Sequence, residues 1–228
     1  MYDYILIRYG EIALKGKNQK DFLNRLWRNI KEQIKTDVGV LPRLEKDQGR
    51  ILLYLDGEEP EKYYNALDHV FGISSYSPVL RTSLEMSDIL DGALKEFAQV
   101  MAGRAEATFR VTIKRPNKRF PLSSMKLATE VANHIYDHVP GLTVDLKHAQ
   151  IDLKVEVRDE CAYITTQKRP GLGGLPLGTG GRGMLLLSGG IDSPVAGWAM
   201  MRRGMTVEAI HFHSYPYTSE MAKEKVLT

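Results

Sequence analysis

Residues 185–197 read Leu-Leu-Leu-Ser-Gly-Gly-Ile-Asp-Ser-Pro-Val-Ala-Gly, and the six from Ser188 to Ser193 have the types and spacing to hold an anion. Successive glycines let backbone N–H groups converge on one point, and a helix opening directly afterwards adds its positive end. The Ser188 and Ser193 hydroxyls can donate to phosphate oxygens. Pro194 suits a first helical turn, where its missing N–H costs least. The pattern G-x-x-x-x-G-K-[ST] is absent, and so is G-x-G-x-x-G. The loop is therefore neither an ordinary ATP loop nor a dinucleotide loop; its structural alternative is a plain strand-to-helix turn. A second apolar stretch, Val207 to Phe212, ends in His211-Phe212-His213. In a doubly wound sheet that strand end lies beside the first loop, across the ligand crevice. The alternative is a buried strand end with a satisfied histidine. Two histidines without a third ligand at suitable spacing do not make a metal site.

The other chemistry-bearing stretch is Ile113-Lys114-Arg115-Pro116-Asn117-Lys118-Arg119-Phe120-Pro121-Leu122-Ser123-Ser124. From Thr108 to Lys126 there are six Lys/Arg and no acid. A strand delivers these cations into a proline-bounded loop before a helix, an arrangement able to track a phosphodiester backbone. Phe120 can stack on a base or anchor the loop in the core. A solvated basic loop is the alternative. Net charge is only +3, so it is the placement of charge that points to a polyanion.

Elements must position these groups. With 228 residues and 43% hydrophobic composition, the chain can bury one large core or two to three small ones. No apolar run is long enough for a bilayer span, the N-terminus has no basic leader, and the single cysteine, Cys161, forms no disulfide framework. A cytoplasmic protein without membrane association is expected. Cys161 has no histidine base near it in sequence and reads as a buried thiol rather than a nucleophile.

Tyr4–Ile7 reads as a strand. Phe22, Leu23, Leu26, Trp27, Ile30 and Ile34 recur at helical spacing, with Asn18 as N-cap. Val38–Leu44 reads as a weak strand and Arg50–Leu55 as a firmer one. Pro60 opens a helix through Val70, and Ile73–Leu80 closes a βαββαβ unit of ferredoxin-like type. Next come a helix capped by Ser87 or Asp88, a strand Phe109–Ile113, and a helix from Ser123 or Ser124. Strands Thr143–Leu146, Ile151–Val157 and Ala162–Thr166 follow. Pro170–Gly183 holds seven glycines and two prolines and reads as a connector. Met184–Leu187 then reads as a buried-type strand, followed by the loop, a helix Pro194–Arg203 and a strand Val207–Phe212. The fold class is α/β, with an α+β N-terminal half. The expected domains are a ferredoxin-like one at 1–80, an α/β one at 81–168, a Gly-rich linker at 169–183 and the start of a doubly wound parallel sheet at 184–228.

Three ordered stretches carry a family resemblance. Ser188-Gly189-Gly190-Ile191-Asp192-Ser193 resembles the PP-loop of the ATP pyrophosphatases. The basic segment resembles the THUMP domain of RNA-modifying enzymes. Arg8-Tyr9-Gly10-Glu11, with Lys15-Gly16-Lys17-Asn18, resembles the opening of tRNA 4-thiouridine synthetase (tRNA uracil 4-sulfurtransferase). Arg169-Pro170-Gly171 through Gly178 is similar to that family's connector, and the resemblance covers essentially the whole chain. It implies a two-step reaction: ATP adenylates O4 of uridine-8 in tRNA with loss of pyrophosphate, and a cysteine persulfide then delivers sulfur as AMP leaves. It implies ATP contacts at Leu186, Leu187, Ser188, Gly189, Gly190, Asp192, Ser193, His211 and Phe212. Asp192 is the candidate catalytic residue, near Mg2+ carried by the ATP phosphates. RNA contacts fall at Lys114, Arg115, Lys118, Arg119 and Phe120. A cysteine desulfurase is the implied sulfur donor, and some members also supply sulfur to the thiamine thiazole. A homodimer completing an open sheet edge is a further expectation. The family's sulfur-carrying cysteine and later ATP-domain strands lie beyond Thr228, so the expectation is that this chain does not thiolate tRNA alone. The rival readings are an RNA-binding module without ATP binding and a PP-loop enzyme that adenylates a small molecule.

Overall fold

The structure, a computed structural model, describes residues 2–14, 16–47, 49–213 and 220–227; Lys15 of the N-terminal motif lies outside them. The chain falls into two compact units. The first takes Met1–Leu6, Leu52–Pro60 and Tyr76–Arg169; the second takes Ile7–Ile51, Glu61–Ser75 and Pro170–Thr228. The βαββαβ pattern is present: β1 (Tyr4–Tyr9), α1 (Gln19–Val38), β2 (Leu44–Asp47), β3 (Arg50–Tyr54), α2 (Glu61–Asp68) and β4 (Ile73–Thr82). These strands lie in the order β2-β3-β1-β4. Strands β1, β3 and β4 contribute residues to both units.

In the first unit follow α3 (Met86–Met101), β5 (Ala107–Lys114), α4 (Ser124–His138), β6 (Leu142–Val144), β7 (Ile151–Val157) and β8 (Ala162–Thr165). The sheet continues from β4 as β8-β7-β5-β6. It is mixed: β8 runs antiparallel to β4 and β7, while β5 runs parallel to β7 and β6. Ile89, Ala93 and Phe97 of α3, with Leu127, Val131 and Ile135 of α4, pack on Phe109, Leu153, Val155 and Ile164. The Phe97 and Phe109 rings meet edge to face at 5.2 Å, a geometry that adds to area burial. Ser123 caps α4, its hydroxyl accepting from Lys126 N–H, as expected from its position. Cys161 is a buried free thiol among Leu6, Leu52, Val79 and Tyr163.

Several boundaries differ from the sequence reading. Val38 is the last residue of α1, and the strand expected at 38–44 begins at Leu44; Gly39, its N–H bonded to Lys35 O, stops the helix first. Asn18 stands at the N-cap position without a side-chain cap bond. Helix α3 starts at Met86, ahead of Ser87 and Asp88. There Ser83 Oγ accepts from Glu85 N–H and donates to the Asp88 carboxylate at 2.6 Å, so the Asp88 carboxylate is spent inside the first turn. Strand β6 ends at Val144 rather than Leu146, because Asp145 turns the chain by accepting from Lys147 and His148 N–H. Those two bonds hold its carboxyl below the ordinary value.

Glu96 lies fully buried in α3. Its Oε1 accepts from Tyr2 OH (3.3 Å), Thr166 N–H (2.7 Å) and Thr166 Oγ–H (2.6 Å). Its Oε2 has no partner among the described residues. Burial raises its pKa above 4.5, and the bonds from Thr166 and Tyr2 oppose that rise without cancelling it. A raised carboxyl pKa means that folding favours the neutral form. This contribution is full below pH 4.5 and is lost as pH climbs through the raised value. Glu96→Gln stays neutral throughout. The expected result is a stability difference, parent minus variant, that falls steadily with rising pH in urea titrations; a pH-independent difference rejects it.

In the second unit, Leu26, Ile30 and Ile34 form the buried stripe of α1. After the Gly-rich segment come β10 (Arg182–Leu186), α5 (Asp192–Arg202), β11 (Thr206–Ile210) and α6 (Glu220–Leu227). Strands β10 and β11 are parallel, with Leu186 opposite Ile210, as in the first turn of a doubly wound sheet. Helix α6 has no counterpart in the sequence reading. Met184–Leu187 is not a buried strand: Met184 is 60% and Leu186 65% exposed. Only two strands form this sheet among the described residues, and α5 covers one face, where Gly197 lies against Leu185.

The Gly-rich segment runs a fixed path. With β9 (Arg169–Pro170) it continues along β4: Gly171 N–H donates to Ser74 O, Gly173 N–H to Ile73 O and Gly72 N–H to Gly173 O. Further on, Leu177 O accepts from Arg25 Nε at 2.8 Å and Asn29 Nδ2 at 3.1 Å. Leu175 N–H donates to Arg202 O, and Gly178 and Gly180 N–H both donate to Gly204 O. Phe71 meets Trp198 of α5 edge to face at 5.8 Å.

Candidate phosphate loop and basic loop

The strand-loop-helix expected at 185–197 is present. Leu187 N–H donates to Ile210 O, which holds the two strand ends together. The chain then leaves the sheet through Ser188, Gly189 and Gly190, all exposed, and enters α5 at Asp192. Ser193 Oγ organises the turn. It accepts from Ser188 N–H at 3.0 Å, lies 3.1 Å from Ser188 Oγ and reaches Ser188 O at 3.3 Å. Gly190 N–H donates to Ser188 Oγ at 3.4 Å. A Cβ on Gly190 would meet nothing nearer than Ser188 Oγ at 3.6 Å, so the loop does not need glycine there for room. The absence of a side chain instead leaves the backbone open to a ligand at the positive end of α5.

The second strand end closes beside this loop. His211 Nδ1 lies 2.8 Å from Leu187 O; a carbonyl only accepts, so Nδ1 carries a proton and Nε2 is the nitrogen left to face a ligand. Phe212 is 72% exposed, so its ring is open to a ligand. The structure thus brings Leu186, Leu187, Ser188–Ser193, His211 and Phe212 together at one end of the β10–β11 sheet. Ser214, the residue after His213, lies outside the described residues. Glu11 of the N-terminal motif pairs with Arg203 at 3.0 Å, at the far end of α5. This exposed pair contributes little stability but ties that motif to the helix behind the loop.

Sequence reasoning passed over Lys225. Helix α6 places its Cδ 3.8 Å from where a Gly189 Cβ would sit. The local signal was the run of strong helix formers in Glu220–Leu227; its proximity to Gly189 has no local signal. Among the described residues no group of three His, Cys, Asp or Glu is placed to hold a metal ion. None of their helices is long and apolar enough to cross a membrane.

In the first unit the basic segment forms the loop between β5 and α4. Asn117, buried, pins it: Nδ2 donates to Arg158 O at 3.0 Å and Oδ1 accepts from Arg119 N–H at 2.9 Å. Arg115 Nη1 donates to Phe120 O at 2.8 Å and so shapes the loop from within. Phe120 is 8% exposed and belongs to the core cluster. Its position is that of a core anchor, one of its two expected roles. Arg110 is bound to Asp152 at 2.9 Å. Burial raises the Asp152 pKa, but bonds from Arg110 and Thr112 and the charge of Lys154 hold it below its ordinary value. Lys114, Lys118 and Arg119 remain exposed, with Arg119 only 3.5 Å from Asp159. Arg119 lines a groove of about 600 Å3 together with Leu84, Met86 and Leu122.

Three family models match in chain order: the ThiI ferredoxin-like domain at residues 4–77, the THUMP domain at 84–167 and the thiamine biosynthesis protein (ThiI) at 178–228. They define the class: a THUMP protein with a ferredoxin-like N-terminal part and a ThiI-type C-terminal part. A probable tRNA sulfurtransferase of Oceanobacillus iheyensis is 46% identical over 226 residues, 99% of this chain and 55% of the relative. One of Natranaerobius thermophilus is 44% identical over 232 residues, with the same shares. With ThiI models matched over residues 4–77 and 178–228, the chain belongs to the ThiI family. It spans about half the length of the curated relatives it matches, 55%. Among solved structures, a 4-thiouridine synthetase in an RNA complex with bound ATP is similar at a TM-score of 0.83 and 36% identity, covering 100% of this chain and 57% of that one. A Pyrococcus horikoshii protein is similar at 0.83 and 32% identity, covering 98% and 72%.

Proposed function

We propose that this chain carries the tRNA-binding part, and the first wall of the ATP site, of a tRNA 4-thiouridine synthetase. The observation that carries the reading is the Ser188–Ser193 loop: an open, glycine-backed turn at a helix N-terminus, set in a chain whose other unit presents an acid-poor basic loop. In the reaction of this reading, O4 of uridine-8 attacks the α-phosphorus of ATP. The bond to the β-phosphate breaks, and pyrophosphate leaves. Ser188, Gly189, Gly190 and Ser193 would cradle that leaving group, because backbone N–H groups and hydroxyls donate without adding negative charge. The lack of a loop lysine inside the motif suits release of pyrophosphate rather than transfer of the terminal phosphoryl group. His211 Nε2, Phe212 and the backbone of Leu186 and Leu187 would meet the base. Asp192, the loop's only carboxylate, is the group able to approach Mg2+ carried by the phosphates; among the described residues no group of three His, Cys, Asp or Glu is placed to hold the ion alone. The outer sulfur of a persulfide from a cysteine desulfurase would then attack C4 and AMP would leave; a thiol would cleave the resulting S–S bond, leaving the thiocarbonyl on the base and a disulfide on the sulfur carrier. Supply of sulfur to thiamine thiazole, and pairing of two chains through the open β10–β11 sheet, belong to the same reading.

Lys114, Lys118 and Arg119 would contact tRNA phosphates, with Arg115 and Asn117 holding the loop in shape. Replacing the three exposed cations by alanine is expected to weaken tRNA binding for all sequences alike. The plot of log affinity against log salt should flatten by about 0.7–0.9 for each phosphate contact removed. An unchanged slope in a salt-titrated filter-binding or fluorescence assay would move the RNA surface elsewhere. Binding of ATP and of unmodified tRNA to the 228-residue chain tests the whole reading: tRNA binding without ATP binding favours the RNA-binding module, and ATP binding without tRNA binding favours a small-molecule adenylating enzyme.

A further inference from the structure

We infer that Lys225 is a phosphate ligand of the Ser188–Ser193 loop, a cation delivered from α6 in place of the lysine that the loop motif lacks. The inference rests on the reading of that loop as an ATP pyrophosphate site. Three observations carry it. First, Lys225 Cδ is the nearest atom to a Cβ built on Gly189, at 3.8 Å. The ammonium lies two bonds beyond that carbon, so the side chain lies beside the glycine arm of the loop. Second, Lys225 makes no salt bridge among the described residues, so no carboxylate of a described residue takes its charge. Third, the loop has no cation of its own. Residues 183–201 contain neither Lys nor Arg, and Asp192 is their only acid. A pyrophosphate bound to backbone N–H groups and two hydroxyls would carry several negative charges with no side-chain counter-charge. A lysine ammonium supplies three donors and one positive charge without fixing a planar geometry. It suits a leaving group whose charge grows as the bond to the α-phosphate breaks.

The same ammonium chemistry would suit an RNA phosphate, so the test separates the two. Calorimetric titration with inorganic pyrophosphate and, separately, with unmodified tRNA is run on the 228-residue chain and on its Lys225→Ala, Lys225→Arg and Ser193→Ala variants. Loss of one charge-assisted contact is expected to weaken pyrophosphate binding about tenfold in Lys225→Ala. Lys225→Arg should recover most of it, and tRNA affinity should stay unchanged. Lys225 is exposed, and a second readout needs no variant at all: pyrophosphate should slow acetylation of Lys225 in the unsubstituted chain, followed by peptide mass spectrometry.

Unchanged pyrophosphate affinity in Lys225→Ala, with Ser193→Ala weakened, overturns the role of Lys225 and leaves the loop reading standing. Weakened tRNA binding with intact pyrophosphate binding also overturns it, placing the ammonium on RNA. Absence of pyrophosphate binding by the unsubstituted chain overturns the loop reading itself, and this inference with it.

Discussion

Gly190→Asp is expected to abolish nucleotide binding at the loop, with at least about a hundredfold loss of ATP affinity, since like charges brought together cost several kcal/mol. The backbone has room for the side chain, whose first carbon would meet only Ser188 Oγ at 3.6 Å. Folding is therefore expected to be intact, and the loss is electrostatic. Gly190→Ala, which adds volume without charge, is the control and should retain binding within a few-fold. Titration with a fluorescent ATP analogue, beside circular dichroism of both variants, reads the result. Equal loss in both would make space, not charge, the reason for glycine. Binding retained in Gly190→Asp would move the phosphates off this turn.

The second large effect concerns stability. Gly174 sits at φ +73°, and a Cβ there would run into the carbonyl oxygen of Arg202, with Arg202 C only 3.1 Å away. A left-handed backbone costs a residue with a side chain roughly 1–2 kcal/mol. The collision is with backbone, so no rotamer change relieves it. The strap must shift, and the adjacent Leu175 N–H to Arg202 O bond at 2.9 Å, worth about 1 kcal/mol net, is lost. Gly174→Ala should therefore lower stability by about 3 kcal/mol in urea unfolding. Gly181 has φ +83° with nothing within 4 Å of a built Cβ, so Gly181→Ala should cost only the conformational part, about 1–2 kcal/mol. Equal midpoints for the two variants would remove the close approach as the cause.

Much of the fold was legible because its signals are local. Ser123, one of the two serines expected to begin α4, caps it, and Ile151–Val157 alternates so cleanly that both strand ends coincide with the structure. The glycines and serines of residues 188–193 signalled the loop between β10 and α5, since turn chemistry there is written in consecutive residues. What escaped depends on partners distant in sequence. Met184 and Leu186 are as apolar as any core strand, yet they are exposed because burial is decided by how many strands flank them. Phe120 carries no mark that separates a stacking ring from a core anchor; the cluster of α3, α4 and the sheet decides. Val38 is β-branched, and α1 holds it nonetheless up to its Gly39 stop. Lys225 is one lysine among many until α6 brings it to Gly189.

The path of residues 171–180 is held almost wholly through main-chain atoms. The carbonyls of Ile73, Ser74, Arg202 and Gly204 accept from its amides, Gly72 N–H donates to its Gly173 carbonyl, and Arg25 and Asn29 both donate to the carbonyl of Leu177. Such a segment is gauged by its length. Its non-glycine side chains can vary while each bond finds its partner, but one inserted or deleted residue puts every later amide out of step. In this family the connector should drift in composition far more readily than in residue count.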